Sequence, residues 1–239
     1  MGGRAYAATA ALLTACIAFG HSAAAAGDGA TLLLFSGGDI WRHGGFLHGG
    51  LLYSPGGLAN DGFTFRAVIS GGRYRYLSGG LDNIWVTGQE TVFQFTPGWR
   101  WRSGTTEIKV FAGVDLQRHD LTPDDPGSRL RGTQAGGRVA FEFWTEPVPA
   151  MMVAVDGSLS SVATSYSLRA ATGWRVFDRF YIGPEAQGFA SGDYRQVRAG
   201  LHITGLRFGP LEWSAGAGFA RDSDRQIGAY ARLGLFSRR

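Results

Sequence analysis

The chain has 239 residues, 38 of them glycine, with 18% charged and 13% aromatic residues and a formal net charge of +4. That charge is carried by arginine, because Lys109 is the only lysine, and the arginines are scattered on alternating positions, which argues against a nucleic-acid surface. A single cysteine, Cys16, excludes an internal disulfide framework and a cysteine-ligated metal, and nothing after the N-terminal segment is apolar for long enough to cross a membrane as a helix.

The N-terminus reads as an export signal. Arg4 precedes an apolar run from Ala5 to Phe19, and Ala24-Ala25-Ala26 offers a small-residue cleavage site. The boundary predicted is a signal peptide over residues 1–26 and one mature domain over residues 27–239. Leu13-Thr14-Ala15-Cys16 also resembles a lipobox, which would acylate Cys16. Apolar Ile17-Ala18-Phe19 continues past the cysteine and favours conventional cleavage. The mature chain then holds no thiol.

Turn signals divide the remainder into about twelve strand-length segments. The first runs from Thr31 to Asp39, and Phe46 to Ser54 follows after Trp41-Arg42-His43-Gly44-Gly45. Gly62 to Tyr76 comes next, then Trp85 to Trp101, then Thr105 to His119. A longer break containing Pro123-Asp124-Asp125-Pro126-Gly127 precedes Leu130 to Thr145. Ala150 to Leu159, Tyr166 to Val176 and Phe180 to Phe189 follow. The last three are Tyr194 to Thr204, Leu211 to Ala220 and Gln226 to Phe236. Residues 31–54 could instead form one long bulged strand, giving eleven. Barrels of this class favour even counts, so twelve is chosen, with ten as the alternative. With both termini periplasmic, the long break around Pro123 would face outward.

The segments alternate. In Thr105 to His119, Ile108, Val110, Ala112, Val114 and Leu116 share one face, while Glu107, Lys109, Asp115 and Gln117 share the other. Val139, Phe141 and Phe143 oppose Arg138 and Glu142. Val197, Ala199, Leu201 and Ile203 oppose Gln196, Arg198 and His202. Successive strand side chains point to opposite faces. A face of charge against a face of hydrocarbon, repeated strand after strand, specifies an all-β, antiparallel transmembrane β-barrel. The outer-membrane lipid is then a partner, and the expected location is the Gram-negative outer membrane, with the periplasm as the alternative.

The polar face supplies the candidate lumen residues: Arg66, Glu90, Glu107, Lys109, Asp115, Arg138, Glu142, Arg169, Glu185, Arg198 and His202, with His48, Arg100, Asp156, Arg175, Glu212 and Arg232 beside them. Interleaved signs can form cross-strand ion pairs filling a narrow bore, or a polar lining for a hydroxyl-rich solute. Aromatics near segment ends (Trp41, Tyr53, Tyr74, Tyr76, Trp85, Trp99, Trp101, Trp144, Trp174 and Trp213) read as interfacial girdles, or as stacking platforms for sugars. The Gly-Gly pairs read as turns and kinks. His48 and His119 could each serve a Ser-His-carboxylate site, but no spacing selects a serine. A non-enzyme without cofactor or metal is expected.

The stretch from Ser36 to Leu58, including Ser36-Gly37-Gly38-Asp39-Ile40-Trp41-Arg42-His43-Gly44-Gly45-Phe46, resembles the cellulose biosynthesis protein BcsS family. So does the block from Asp61 to Tyr76, with Ser70-Gly71-Gly72-Arg73-Tyr74-Arg75-Tyr76. The resemblance implies an outer-membrane barrel that assists the synthesis or secretion of cellulose-like exopolysaccharide, with cellulose and other synthesis or export proteins as partners. A lumen-filled scaffold and a lipid-modifying barrel enzyme are the alternatives. No site residues carry over. Phe236 is followed by Ser237-Arg238-Arg239, a departure from barrels that end on a terminal aromatic.

Overall fold

The computed structural model describes residues 29–192 and 194–239. The expected signal peptide, its cleavage site and Cys16 lie outside these residues. Twelve strands follow in chain order: β1 (Leu32–Trp41), β2 (Gly44–Tyr53), β3 (Gly62–Ser78), β4 (Ile84–Ser103), β5 (Thr106–Thr122), β6 (Gly132–Val148), β7 (Met151–Ser160), β8 (Ser165–Val176), β9 (Phe180–Ser191), β10 (Tyr194–Phe208), β11 (Leu211–Asp222) and β12 (Ile227–Arg238). Each pairs antiparallel with its sequence neighbours. β12 pairs with β1 from Arg238–Leu33 to Tyr230–Trp41 and closes the sheet. The barrel therefore has twelve strands.

An even antiparallel count puts Leu32 and Arg238 at one end, called here the terminal end. The connections after β1, β3, β5, β7, β9 and β11 gather at the opposite, loop end. The first connection is only Arg42-His43, so β1 and β2 are a hairpin rather than one bulged strand. β6 starts at Gly132 and not at Leu130. Leu130 turns into the mouth of the barrel and is fully buried, because an apolar side chain there finds cover inside rather than in the sheet. Gly205, at φ 82°, interrupts the β10–β11 register between Thr204 and Leu206.

The glycine pairs are not mainly turns. Gly37-Gly38, Gly44-Gly45, Gly49-Gly50, Gly71-Gly72 and Gly136-Gly137 lie within strands. Gly72 pairs across the ladder with Phe46, and a Cβ there would sit 2.5 Å from the Phe46 ring. Gly88 pairs with Tyr74 in the same way, its Cβ position 2.3 Å from that ring. An inward aromatic lies flat over the missing side chain of its partner strand. The ring thus packs against backbone instead of filling the bore upright.

The two faces separate as the alternation requires. Outward-facing Leu47, Val197, Leu201 and Phe219 are 61–72% exposed, and Ile69, Phe93, Val114, Leu116, Val139 and Leu168 continue the apolar wall around the barrel. In water an apolar surface of this extent would be an aggregation site; against hydrocarbon it is the matching surface. All backbone ladders close on themselves, which is the condition for a sheet in lipid. Inward residues form an apolar layer at each end. At the loop end Trp41, Phe46, Tyr74, Tyr76, Phe189, Tyr194 and Tyr230 pack with Leu130 and with Val162 of a short 3-10 turn after β7. At the terminal end Leu33, Phe35, Leu52, Val68, Phe111 and Phe236 pack beneath Leu58 of the β2–β3 connection.

Val110, outward on β5 and 40% exposed, lies beside inward Lys109. Val110→Arg is expected to lower stability in bilayers by about 2–4 kcal/mol, measured by denaturant unfolding with heat-modifiable gel mobility as the readout. Unchanged unfolding of that variant would mean that the outer wall does not face lipid.

Candidate functional site

Between the two apolar layers lies a belt of charge. Its cations are Arg66, Arg100, Lys109, Arg138, Arg169, Arg198 and Arg232, and its acids are Asp39, Glu90, Glu107, Asp115, Glu142, Asp156 and Glu185, all under 9% exposed. The alternation puts them there. Each sits on the inward parity of its strand, opposite a residue of the lipid-facing wall.

The belt is built from linked ion pairs. Arg66 of β3 reaches Glu142 of β6 at 2.7 Å, bypassing β4 and β5, and its guanidinium lies 4.2 Å from the Phe111 ring centre. Lys109 bridges Glu142 at 2.9 Å and Glu107 at 2.7 Å. Arg100 stands 3.8 Å from Glu107 and donates to the carbonyl of Leu58 at 2.6 Å, tying the belt to the terminal-end layer. A second cluster centres on Asp115, which pairs with Arg138 at 2.8 Å and accepts from Ser160 and Gln117.

The third cluster centres on Glu185 of β9. Arg169 pairs with it at 3.0 Å and with Asp156 at 3.3 Å. Arg232 of β12 also pairs with Glu185, and Tyr230 donates to it at 3.0 Å. In the fourth, Arg198 of β10 pairs with Asp39 of β1 at 2.7 Å, beneath the loop-end aromatic layer. Its guanidinium lies 5.0–5.4 Å from the Tyr230, Phe189 and Trp41 ring centres, within cation–π range. Arg66–Glu142, Arg232–Glu185 and Arg198–Asp39 all join non-adjacent strands. Side chains therefore meet across the bore and do not merely line it.

Glu90 differs. It is 3% exposed, and neither carboxylate oxygen accepts a bond from the described residues. Its cross-strand partner is His119, whose ring nitrogens face Gln117 at 3.2 Å and Tyr74 at 3.3 Å. His202 is held by Thr204 at 2.9 Å and by the carbonyl of Thr172 at 3.1 Å. Neither imidazole addresses a serine. His48, on the inward face of β2, stands against the backbone of Gly37. Arg175 pairs with Glu146, and Glu212 with Arg238 and Arg207, at the terminal rim outside the belt.

All the lumen candidates read from the alternation lie on the inward face. The belt also uses residues that a search for charged mid-strand positions passes over. Asp39 closes a strand in the sequence reading and bridges the bore in the fold. Gln117 and His119 already lie on the polar face of the β5 alternation, and Ser160 and Tyr230 share the inward parity of their strands and could have been found by it. The aromatics divide. Tyr53, Trp85, Trp101 and Trp174 are outward and 43–54% exposed, as a girdle requires. Trp41, Tyr74, Tyr76 and Trp144 are not girdle residues. They point inward and are 1–9% exposed, because Trp41, Tyr74 and Tyr76 cap the lumen at the loop end and Trp144 packs with Met152 and Tyr181. Phe236 is likewise inward, with Leu235 on the outer wall.

The loop-end layer is a continuous stack. Ring centres of Trp41 and Phe46 are 5.7 Å apart, those of Phe46 and Tyr74 6.4 Å, and those of Tyr74 and Tyr76 6.2 Å. Tyr76 donates to Asp125 at 2.9 Å, which latches the β5–β6 connection over the mouth.

A family model described as "Cellulose biosynthesis protein BcsS" matches residues 33–239. No curated protein matches the chain. Among solved structures, the KdgM porin is 10% identical, with a TM-score of 0.49, over 86% of this chain and 98% of its own. The translocator domain of autotransporter NalP from Neisseria meningitidis is also 10% identical, with a TM-score of 0.49, over 88% of each chain.

Buried pairs and exposed pairs should respond differently to loss of one partner. Glu185→Gln leaves two arginines facing a neutral group and is expected to destabilise by about 3–5 kcal/mol. Asp120→Asn breaks the exposed Arg118–Asp120 pair, whose side chains are 66% and 58% exposed, and should leave stability nearly unchanged, because solvent screens that pair. Denaturant unfolding of the two refolded variants checks the contrast. Equal effects would mean that water reaches Glu185 and the bore is open.

Proposed function

Because the chain belongs to the cellulose biosynthesis protein BcsS family, we propose that it acts in that pathway as a non-enzymatic outer-membrane barrel whose lumen is closed, a scaffold for the synthesis or export machinery rather than the conduit itself. The observation that carries this reading is the belt: balanced buried charge, bridged across the bore and sealed at both ends by apolar layers. A polysaccharide conduit needs a continuous wet lining of unpaired polar groups. Here the lumen cations are paired with lumen carboxylates, Glu90 alone among the belt acids standing apart. The partner surfaces of such a scaffold are the connections at the two ends, and the lipid-facing wall anchors it.

The non-enzymatic part rests on the histidines. The ring nitrogens of His119 and His202 face glutamine, tyrosine, threonine and a backbone carbonyl, so neither is placed as a general base beside a nucleophile. Placement in the outer membrane rests on the closed sheet and its apolar belt.

Two measurements test the proposal. Deleting the gene is expected to lower or mislocalise extracellular cellulase-digestible glucan while glucan synthesis by isolated inner membranes continues. The purified protein in planar bilayers is expected to show no steady channel conductance. Unaltered cellulose in the deletion strain would sink the scaffold role. Steady conductance steps blocked by cello-oligosaccharides would replace the scaffold with a conduit.

A further inference from the structure

The outer wall is not uniformly apolar. At the loop end of β3, β4 and β5 it changes character along shared cross-strand rows. Ile69, Phe93 and Leu116 are ladder partners and form one outward apolar row. The next row towards the loop end is Gly71, Thr91 and Arg118, and the one beyond it is Arg73, Gln89 and Asp120. Arg75 stands one row further on, opposite Thr87. Arg131, just before β6, extends the patch.

The charge on this patch is unbalanced, unlike that of the lumen. Four arginines (Arg73, Arg75, Arg118 and Arg131) meet two carboxylates, Asp120 and Asp124, which pair with Arg118 and Arg131. Arg73 is held by a neutral group, the Gln89 side-chain oxygen at 2.7 Å in the amide orientation that satisfies both partners. The Arg75 guanidinium lies 5.1 Å from the exposed Trp85 ring. Among the described residues no carboxylate pairs with either. Arg73 and Arg118 are two strands and one outward row apart, so about 12 Å separates their backbones. Their side chains project outward, Arg118 in the first row and Arg73 in the second beyond the one where the wall turns to hydrocarbon.

We propose that this patch binds the phosphate groups of an anionic, acylated lipid in the leaflet at the loop end. Phosphates would sit on Arg73, Arg118 and Arg75, and acyl chains would lie along Ile69, Phe93 and Leu116. Guanidinium forks bind phosphate oxygens in pairs, and a basic cluster flanking a membrane-embedded surface draws anionic headgroups. A soluble anion would use the arginines alone. The apolar row directly beneath them selects a ligand that is both phosphorylated and acylated.

The inference rests on the membrane reading, and the experiment separates the two. The full mature chain is refolded and first tested for insertion into bilayers. Failure there overturns the membrane reading and this site with it. The inserted protein is then titrated in detergent by native mass spectrometry against diphosphorylated lipid A and against the same lipid with its phosphates removed, with inorganic phosphate as competitor. Wild type is expected to bind the phosphorylated lipid. Arg73→Gln with Arg118→Gln should weaken binding at least tenfold, while Arg179→Gln with Arg239→Gln at the terminal end leaves it unchanged. Millimolar inorganic phosphate should not displace the lipid. Equal binding of the dephosphorylated lipid, equal binding by the Arg73/Arg118 variant, or displacement by inorganic phosphate would each overturn the site.

Discussion

A sheet in hydrocarbon has no water to satisfy an open edge, and each unpaired backbone group costs several kcal/mol. The rest of this structure follows from that constraint. The seam between β1 and β12 removes the only two edges that twelve strands joined by sequential hairpins leave. Once the sheet is closed, pleating sorts every residue into one of two places: a wall facing lipid or a bore facing itself. Charge on the wall would be stranded in hydrocarbon. Charge in the bore has only other inward groups as partners, along the wall as for Arg138–Asp115 or across it as for Arg66–Glu142.

That second consequence explains the belt. Bringing ionised groups out of water is unfavourable unless each finds an opposite charge and its remaining hydrogen bonds. Glu185 shows how far the arrangement goes, with Arg169 of β8 and Arg232 and Tyr230 of β12 converging on one carboxylate. The ends are sealed differently. There, aromatic rings lie over cross-strand glycines, so large apolar groups occupy the bore without forcing the strands apart. Charge in the middle and hydrocarbon at the ends keep water from the ion pairs, and dry ion pairs hold non-adjacent strands together. Each layer strengthens the other.

The same logic relates the interior to the role in cellulose biosynthesis. A lumen in which each cation is committed to an acid is rigid and has little to offer a passing neutral polymer. The exterior differs: at the loop end Arg73 is held by Gln89 and Arg75 lies against Trp85, and among the described residues neither pairs with a carboxylate. The proposed scaffold draws on all three features: closed core, lipid-matched wall and charged rim.

The class of fold, the number of strands and the inward or outward direction of nearly every mid-strand residue were legible in the sequence, because pleating imposes a period of two and each of the two environments accepts one kind of side chain. The ends of strands were less legible. Trp41, Tyr74 and Tyr76 read as girdle residues, since an amphipathic ring near a turn suits a headgroup as well as it suits a lumen cap. Parity alone would have turned them inward, but residue type suggested otherwise. The pairing of charges was not legible at all. Arg198 and Asp39 are separated by 159 residues and meet only because closure bends β1 round to face β10 across the bore. The glycines are the same case: Gly71-Gly72 reads as a turn or kink until the register sets Phe46 opposite Gly72. Alternation is a local property of a strand, so the sequence by itself determined which faces exist. Which residues meet across the bore depends on register and closure, which are set by the whole ring of strands at once, and only the tertiary structure decided that.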